Sequence, residues 1–210
     1  MTILSEILMH KIVAIVRGAR PEDVIEIAGA LYEGGVRCME VTLNSDSALQ
    51  VIENVAVKMA GRMVTGAGTV LDAAAASSAI AAGAAFIVSP IMDIETIRQT
   101  KKLGAVSIPG AFTPTEIFKA HVAGGDIIKV FPSSSGPGFI KEILAPLPGI
   151  NLMPTGGISL ANISSFYNAG AVAFGIGKSL VDTTQKVSNA SLLKIIANAK
   201  AFMQVVNANT

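Results

Sequence analysis

Short apolar runs recur along the chain, and between them apolar residues fall at helical spacing. Eight runs read as strands: Lys11–Arg17, Cys38–Leu43, Val64–Val70, Phe86–Pro90, Val106–Phe112, Ile127–Pro132, Asn151–Gly157 and Val172–Gly177. Val24, Ile25, Ala28 and Leu31 predict a helix over Pro21–Leu31, with Pro21 suited to its first turn. Thr113-Pro114-Thr115-Glu116 predicts another helix start, with Glu116 answering a Thr113 cap. Glycines at Gly34-Gly35, Gly83, Gly104, Gly124-Gly125 and Gly170 stand where helices should close before the next strand.

Successive runs begin about 20 to 27 residues apart, the length of a minimal strand–helix unit. Strict alternation of strand and helix predicts a parallel α/β architecture. Eight units predict a single-domain (β/α)8 TIM barrel over residues 1–210. The alternative is an open doubly wound sheet, which usually carries Gly-x-Gly-x-x-Gly after its first strand. Here that turn reads Arg17-Gly18-Ala19-Arg20-Pro21.

Two charged residues interrupt this pattern. In Ile127-Ile128-Lys129-Val130-Phe131 the lysine sits mid-strand, and in Cys38-Met39-Glu40-Val41-Thr42-Leu43 a glutamate faces away from Met39, Val41 and Leu43. In a barrel the large apolar face meets the helices, so Glu40 and Lys129 point inward. Strands two and six lie opposite one another in an eight-strand ring, so both groups can share one central space. The bland reading is a structural Lys–Glu pair, a weak source of stability because desolvation is costly. The chemical reading is that burial lowers the lysine's pKa and frees a neutral amine. Such an amine attacks a ketone to form an iminium, and a nearby carboxylate can move the protons.

Composition narrows the classes. Half of the 210 residues are apolar, 15% are charged and the formal net charge is +1, so no basic field for nucleic acid exists. Tryptophan is absent, which argues against base-stacking platforms. Cys38 is the only cysteine, so no intramolecular disulfide forms, and a reducing cytoplasm is expected. The charge-free stretches 73–92 and 143–177 are broken by Gly and Pro, which argues against a membrane span, and no secretory leader pattern is read at the N-terminus. His10 and His121 fall away from strand ends, so no metal or cofactor is expected. Gly156-Gly157 and Gly177-Lys178-Ser179 follow strands seven and eight, where barrels often hold phosphate on backbone N–H groups. Lys178 reads as a solvated charge.

Taken in order, Gly34-Gly35-Val36, Glu40-Val41-Thr42-Leu43, Gly66-Ala67-Gly68-Thr69-Val70, Ile87-Val88-Ser89-Pro90, Ile108-Pro109-Gly110, Lys129-Val130-Phe131-Pro132 and Pro154-Thr155-Gly156-Gly157-Ile158 resemble the KDPG/KHG aldolase family. Those class I aldolases cleave 2-keto-3-deoxy-6-phosphogluconate (KDPG) or 4-hydroxy-2-oxoglutarate (KHG) and release pyruvate. The resemblance implies Lys129 as the Schiff-base lysine and Glu40 as the general acid/base. It places Arg17, Thr69 and Thr155 near the pyruvate end, Pro90 and Phe131 as apolar walls, and Gly156, Gly157 and Ser179 at the phosphate. It also implies a homotrimer acting on a phosphorylated keto acid. Asn44 departs from the arginine of many KDPG aldolases. With Ser133-Ser134-Ser135 it resembles the branch acting on the galactonate epimer (KDPGal), whereas the Thr155 motif resembles the gluconate branch. A phosphosugar isomerase or epimerase, and a non-catalytic barrel binding a phospho-metabolite, are the alternatives.

Overall fold

The computed structural model describes residues 1–184 and 186–208. The apolar runs become parallel strands: β1 Ile12–Val16, β2 Cys38–Thr42, β3 Val64–Gly68, β4 Phe86–Val88, β5 in two segments (Val106–Ile108 and Gly110–Ala111), β6 Ile128–Val130, β7 Leu152–Pro154 and β8 Phe174–Ile176. The helices are α1 Ile3–His10, α2 Val24–Glu33, α3 Ala48–Lys58, α4 Ala73–Ala81, α5 Ile94–Lys102, α6 Pro114–Val122, α7 Gly136–Leu144, α8 Ile163–Asn168 and α9 Asn189–Ala208.

Two ladders make the wall. One runs β5-β4-β3-β2-β1-β8 through the first segment of β5, and the other runs from its second segment through β6 to β7. Pro109 divides β5 because it has no N–H to donate. It still accepts from the Lys129 N–H at 2.9 Å. A parallel bridge between Thr155 and Gly175 joins β7 to β8 and closes the ring.

The strands are shorter at their C-terminal ends than the runs suggest. Val70, Pro90, Phe112, Pro132, Gly157 and Gly177 lie in loops, where the backbone leaves the ladder to build the mouth. The Thr113 capping box forms, with Thr113 N–H donating to Glu116 Oε2 at 2.8 Å. Gly35, Gly83, Gly104, Gly124 and Gly170 all take positive φ after helices. The helix from Pro21 opens as a 3-10 turn, Pro21–Asp23, before α2. Helix α1, which the strand rhythm did not anticipate, starts from a Thr2–Ser5 capping box.

Alternation sorts the apolar residues into two layers. Met39, Val41, Ile87, Ile128, Val130 and Leu152 face the helices and pack with Ile27, Leu31, Ile52, Ile117 and Phe202. Val13, Cys38, Phe86, Val88, Ile108, Ile127 and Met153 fill the barrel interior, joined by Ile7 of α1. The Phe86 ring occupies the space where a Cβ on Gly66 would stand. This apolar filling takes up the lower part of the barrel and leaves polar inward positions for its C-terminal end.

Candidate active site

Both charged interruptions point inward. Glu40 is opposite Ile15 and Gly66 in the sheet, and Lys129 is opposite Gly110 and Met153. Their exposures are 1% and 4%. Burial pushes the Glu40 carboxyl upward against the opposing pull of Lys129 and Arg17. Burial likewise pushes the Lys129 ammonium downward, while Glu40 works to raise it and Arg17 adds to the lowering. Desolvation is the largest cause for both, so each charged form is disfavoured. The two groups feel one another without a direct ion pair among the described residues. Glu40 Oε2 is buried and has no hydrogen-bond partner there.

Gly68 makes room for this arrangement. Glu40 Oε1 and Cδ occupy the space that a Cβ at residue 68 would need. Gly66 and Gly68 alternate inward on β3, a period-2 pattern that is visible in the sequence but that sequence reasoning left unassigned.

Above Lys129 opens a cavity of about 420 Å³, lined by Arg17, Lys129, Phe131, Thr155, Gly156, Gly157 and Ser179 among others. The Phe131 ring centroid lies 4.8 Å from Lys129 Nζ. Thr155 is buried, and among the described residues its hydroxyl reaches only Met153 O, at 3.4 Å. Arg17 spans the rim, donating to Asn44 Oδ1 at 3.4 Å and to Thr69 Oγ1 at 3.3 Å. Thr69 holds a left-handed backbone at φ +57°, uncommon for a β-branched residue. Glu40, Asn44, Thr69 and Pro90 do not line this cavity. Asn44 and Thr69 join it through Arg17, while Pro90 packs against Gly110 at the mouth of β5.

The glycine loop after β7 is tied from several sides. Gly156 and Gly157 sit at φ +90° and +80°, in the left-handed region that glycine adopts without strain. Ser133 Oγ donates to Gly156 O, Asn162 Nδ2 to Gly157 O at 2.9 Å, and Ser179 Oγ to Ile158 O at 2.7 Å. Three carbonyls that would repel an anion are thereby occupied. Through that bond Ser179 fastens the loop, and it also lines the cavity. Ser133, singled out in the sequence only as part of the serine run, and Asn162, which no local signal marks, also tie the loop. Lys178 is exposed at the rim, in keeping with its reading as a solvated charge. His121 is exposed on α6 and His10 ends α1, both away from this mouth.

A family model described as KDPG and KHG aldolase matches residues 3–197. A probable 2-dehydro-3-deoxy-6-phosphogalactonate aldolase of Rhizobium meliloti is 40% identical over 80% of this chain and 81% of its own length. The 2-dehydro-3-deoxy-6-phosphogalactonate aldolase of Escherichia coli is 32% identical over 93% and 96%. A native KDPGal structure superposes with a TM-score of 0.89 at 32% identity, covering 94% of this chain and 95% of that one. The fold, the buried Lys–Glu couple and these matches converge: the chain belongs to the KDPG and KHG aldolase family and is an enzyme of the aldolase type.

Proposed function

We propose that the chain is a class I aldolase that splits a 6-phospho-2-keto-3-deoxy sugar acid into pyruvate and glyceraldehyde 3-phosphate, with Lys129 and Glu40 as its catalytic pair. The observation that carries this reading is the inward pair itself, 4% and 1% exposed, beneath a cavity of the size of a small ligand. The neutral Lys129 amine adds to the C2 carbonyl, and Glu40 gives its proton to the departing hydroxyl, so that loss of water leaves an iminium and a Glu40 carboxylate. Glu40 takes the C4 hydroxyl proton as the C3–C4 bond breaks, the bonding electrons pass to the iminium nitrogen, and the aldehyde leaves. Glu40 then returns the proton to C3 of the enamine, and water releases pyruvate and the free amine.

Arg17, held by Asn44 and Thr69, provides a guanidinium for the substrate carboxylate, with Thr155 nearby. Phe131 is the apolar wall, with Pro90 further along the mouth. The N–H groups of Gly156 and Gly157 face the phosphate in a loop whose carbonyls are already bonded. Similarity to the two galactonate-named relatives, together with Asn44, favours the galactonate epimer.

Borohydride added with pyruvate should leave one reduced adduct, mapped to Lys129 and absent from Lys129→Ala. No adduct, under conditions that label a known Schiff-base aldolase, would remove the mechanism in favour of an isomerase, epimerase or binding barrel. The ratio of kcat/KM for the gluconate and galactonate epimers and for 4-hydroxy-2-oxoglutarate decides the substrate.

A homotrimer is part of the same reading. Leu71, Ile91, Phe112 and Phe118 are large apolar residues exposed after β3, β4 and β5 and on α6, positions that a second copy would cover. Light scattering on the eluting protein gives the mass directly. The buried free thiol of Cys38 accords with a cytoplasmic location, and no helix among the described residues is long and apolar enough to cross a membrane.

A further inference from the structure

A second cavity, about 470 Å³ and larger than the one above Lys129, opens at the N-terminal ends of the strands. Arg37 immediately precedes β2 and Thr65 lies at the start of β3, so this space is at the opposite end of the barrel from the Lys–Glu couple. Glu6 and His10 of α1, Tyr32, Arg37, Arg62 and Thr65 supply its polar lining. We propose that this cavity is a second binding site, for a small hydroxylated anion bearing a carboxylate or phosphate.

The donors are fixed but not used up. Arg37 Nη1 donates to Tyr32 O at 2.9 Å and Val36 O at 3.1 Å, and its guanidinium stacks 4.1 Å from the Tyr32 ring centroid. Arg62 Nη2 donates to Lys58 O at 2.6 Å. Each guanidinium carries five N–H groups, so each keeps donors beyond those that hold a helix carbonyl. Those bonds also quench the negative ends of α2 and α3, which would otherwise oppose an anion.

A purely capping role for the arginines leaves one feature unexplained. Thr65 is 3% exposed, lines the cavity, and its hydroxyl has no partner among the described residues. A buried hydroxyl without a partner is costly; its oxygen is closed to solvent as it stands, and rotation of the side chain into the cavity would bring it onto a ligand atom. Two guanidiniums face one carboxylate, Glu6, which forms no ion pair with either among the described residues. The surplus charge selects an anion, and Glu6 is left to accept from a ligand hydroxyl. Desolvation, Arg37 and Lys11 lower the His10 pKa against the pull of Glu6, so an arriving anion favours its protonation.

The test uses the full chain and two probes, inorganic phosphate and L-malate, with the ring signals of His10 and His121 followed by NMR. Saturable movement of His10 but not His121, with an upward shift of the His10 midpoint, is expected for at least one probe. The probe that binds tighter identifies the head group. Arg62→Met should weaken that binding about tenfold. Thr65→Val should weaken it about threefold while raising the Tm of the ligand-free protein, because it deletes the unpartnered hydroxyl. Neither variant should alter the response of the Gly157 amide at the far mouth. A His10 response that fails to saturate, or equal affinity in wild type and both variants, overturns the proposal. Activity at Lys129 does not enter any of these readouts, so this site and the aldolase mechanism fail or stand separately.

Discussion

The carboxylate of Glu40 on β2 stands in the space that a side chain on Gly68 of β3 would fill. A neighbouring strand thus sets how far the acid can reach, and Gly68 does so by having no Cβ. Its backbone is not left-handed, so alanine meets only this steric conflict. Gly68→Ala is expected to cost about 1–3 kcal/mol of stability through overpacking. It should also lower kcat more than tenfold as the carboxylate is displaced. A wild-type kcat in a folded variant would show that the position of Glu40 does not matter.

Glu40 holds the Lys129 pKa up, against burial. Glu40→Gln removes that support, so the neutral amine should persist to lower pH. The rate of borohydride trapping with pyruvate, measured against pH, should show its acid limb displaced downward. An unmoved limb would mean that the two groups do not communicate.

Phe131→Ala should move the same limb the other way. Opening the wall beside Lys129 admits water, and desolvation is the largest cause of that lysine's depression. Loss of the ring's attraction for the ammonium, about 0.5–2 kcal/mol, opposes this. Desolvation outweighs it, and the limb should rise. A fall would show that the ring acts chiefly as a cation partner.

Because its folded pKa is raised, Glu40 takes up protons on folding between its unfolded value, about 4.3, and its folded one. Its contribution therefore lowers stability as pH rises through that window. The stability of Glu40→Gln relative to wild type should accordingly grow from pH 4 upward through the window, as read by chemical denaturation. A constant difference would show that the carboxyl is not desolvated.

Thr69→Gly relieves a left-handed backbone that costs an L residue about 1–2 kcal/mol, and glycine's greater freedom in the unfolded chain returns about 0.4–1 kcal/mol of that. The Tm should stay level or rise slightly, while KM increases about fivefold as Arg17 loses one of its two anchors. An unchanged KM would remove the threonine from the recognition of the carboxylate.

Much of this molecule follows from local periodicity. Period-2 alternation aimed Glu40 and Lys129 inward, because a strand has only two faces and the apolar one must meet the helices. The Thr113 box and the glycine stops were equally local, being matters of backbone donors and positive φ. Helix α1 carried its own signal in Thr2, Ser5 and the spacing of Ile3, Ile7 and His10, but too few residues separate it from β1 for the strand rhythm to reveal it. Contacts between distant segments were decided only by closure of the ring. Arg17 meets Asn44 and Thr69, Ser133 meets Gly156, and Ser179 meets Ile158, pairs that lie 21 to 52 positions apart in the chain. Each depends on the angle at which one strand end faces another, which no single segment encodes. The lower cavity has the same origin, since it exists only where α1 and the ends of α2, α3 and α4 fail to fill the space beneath the strands.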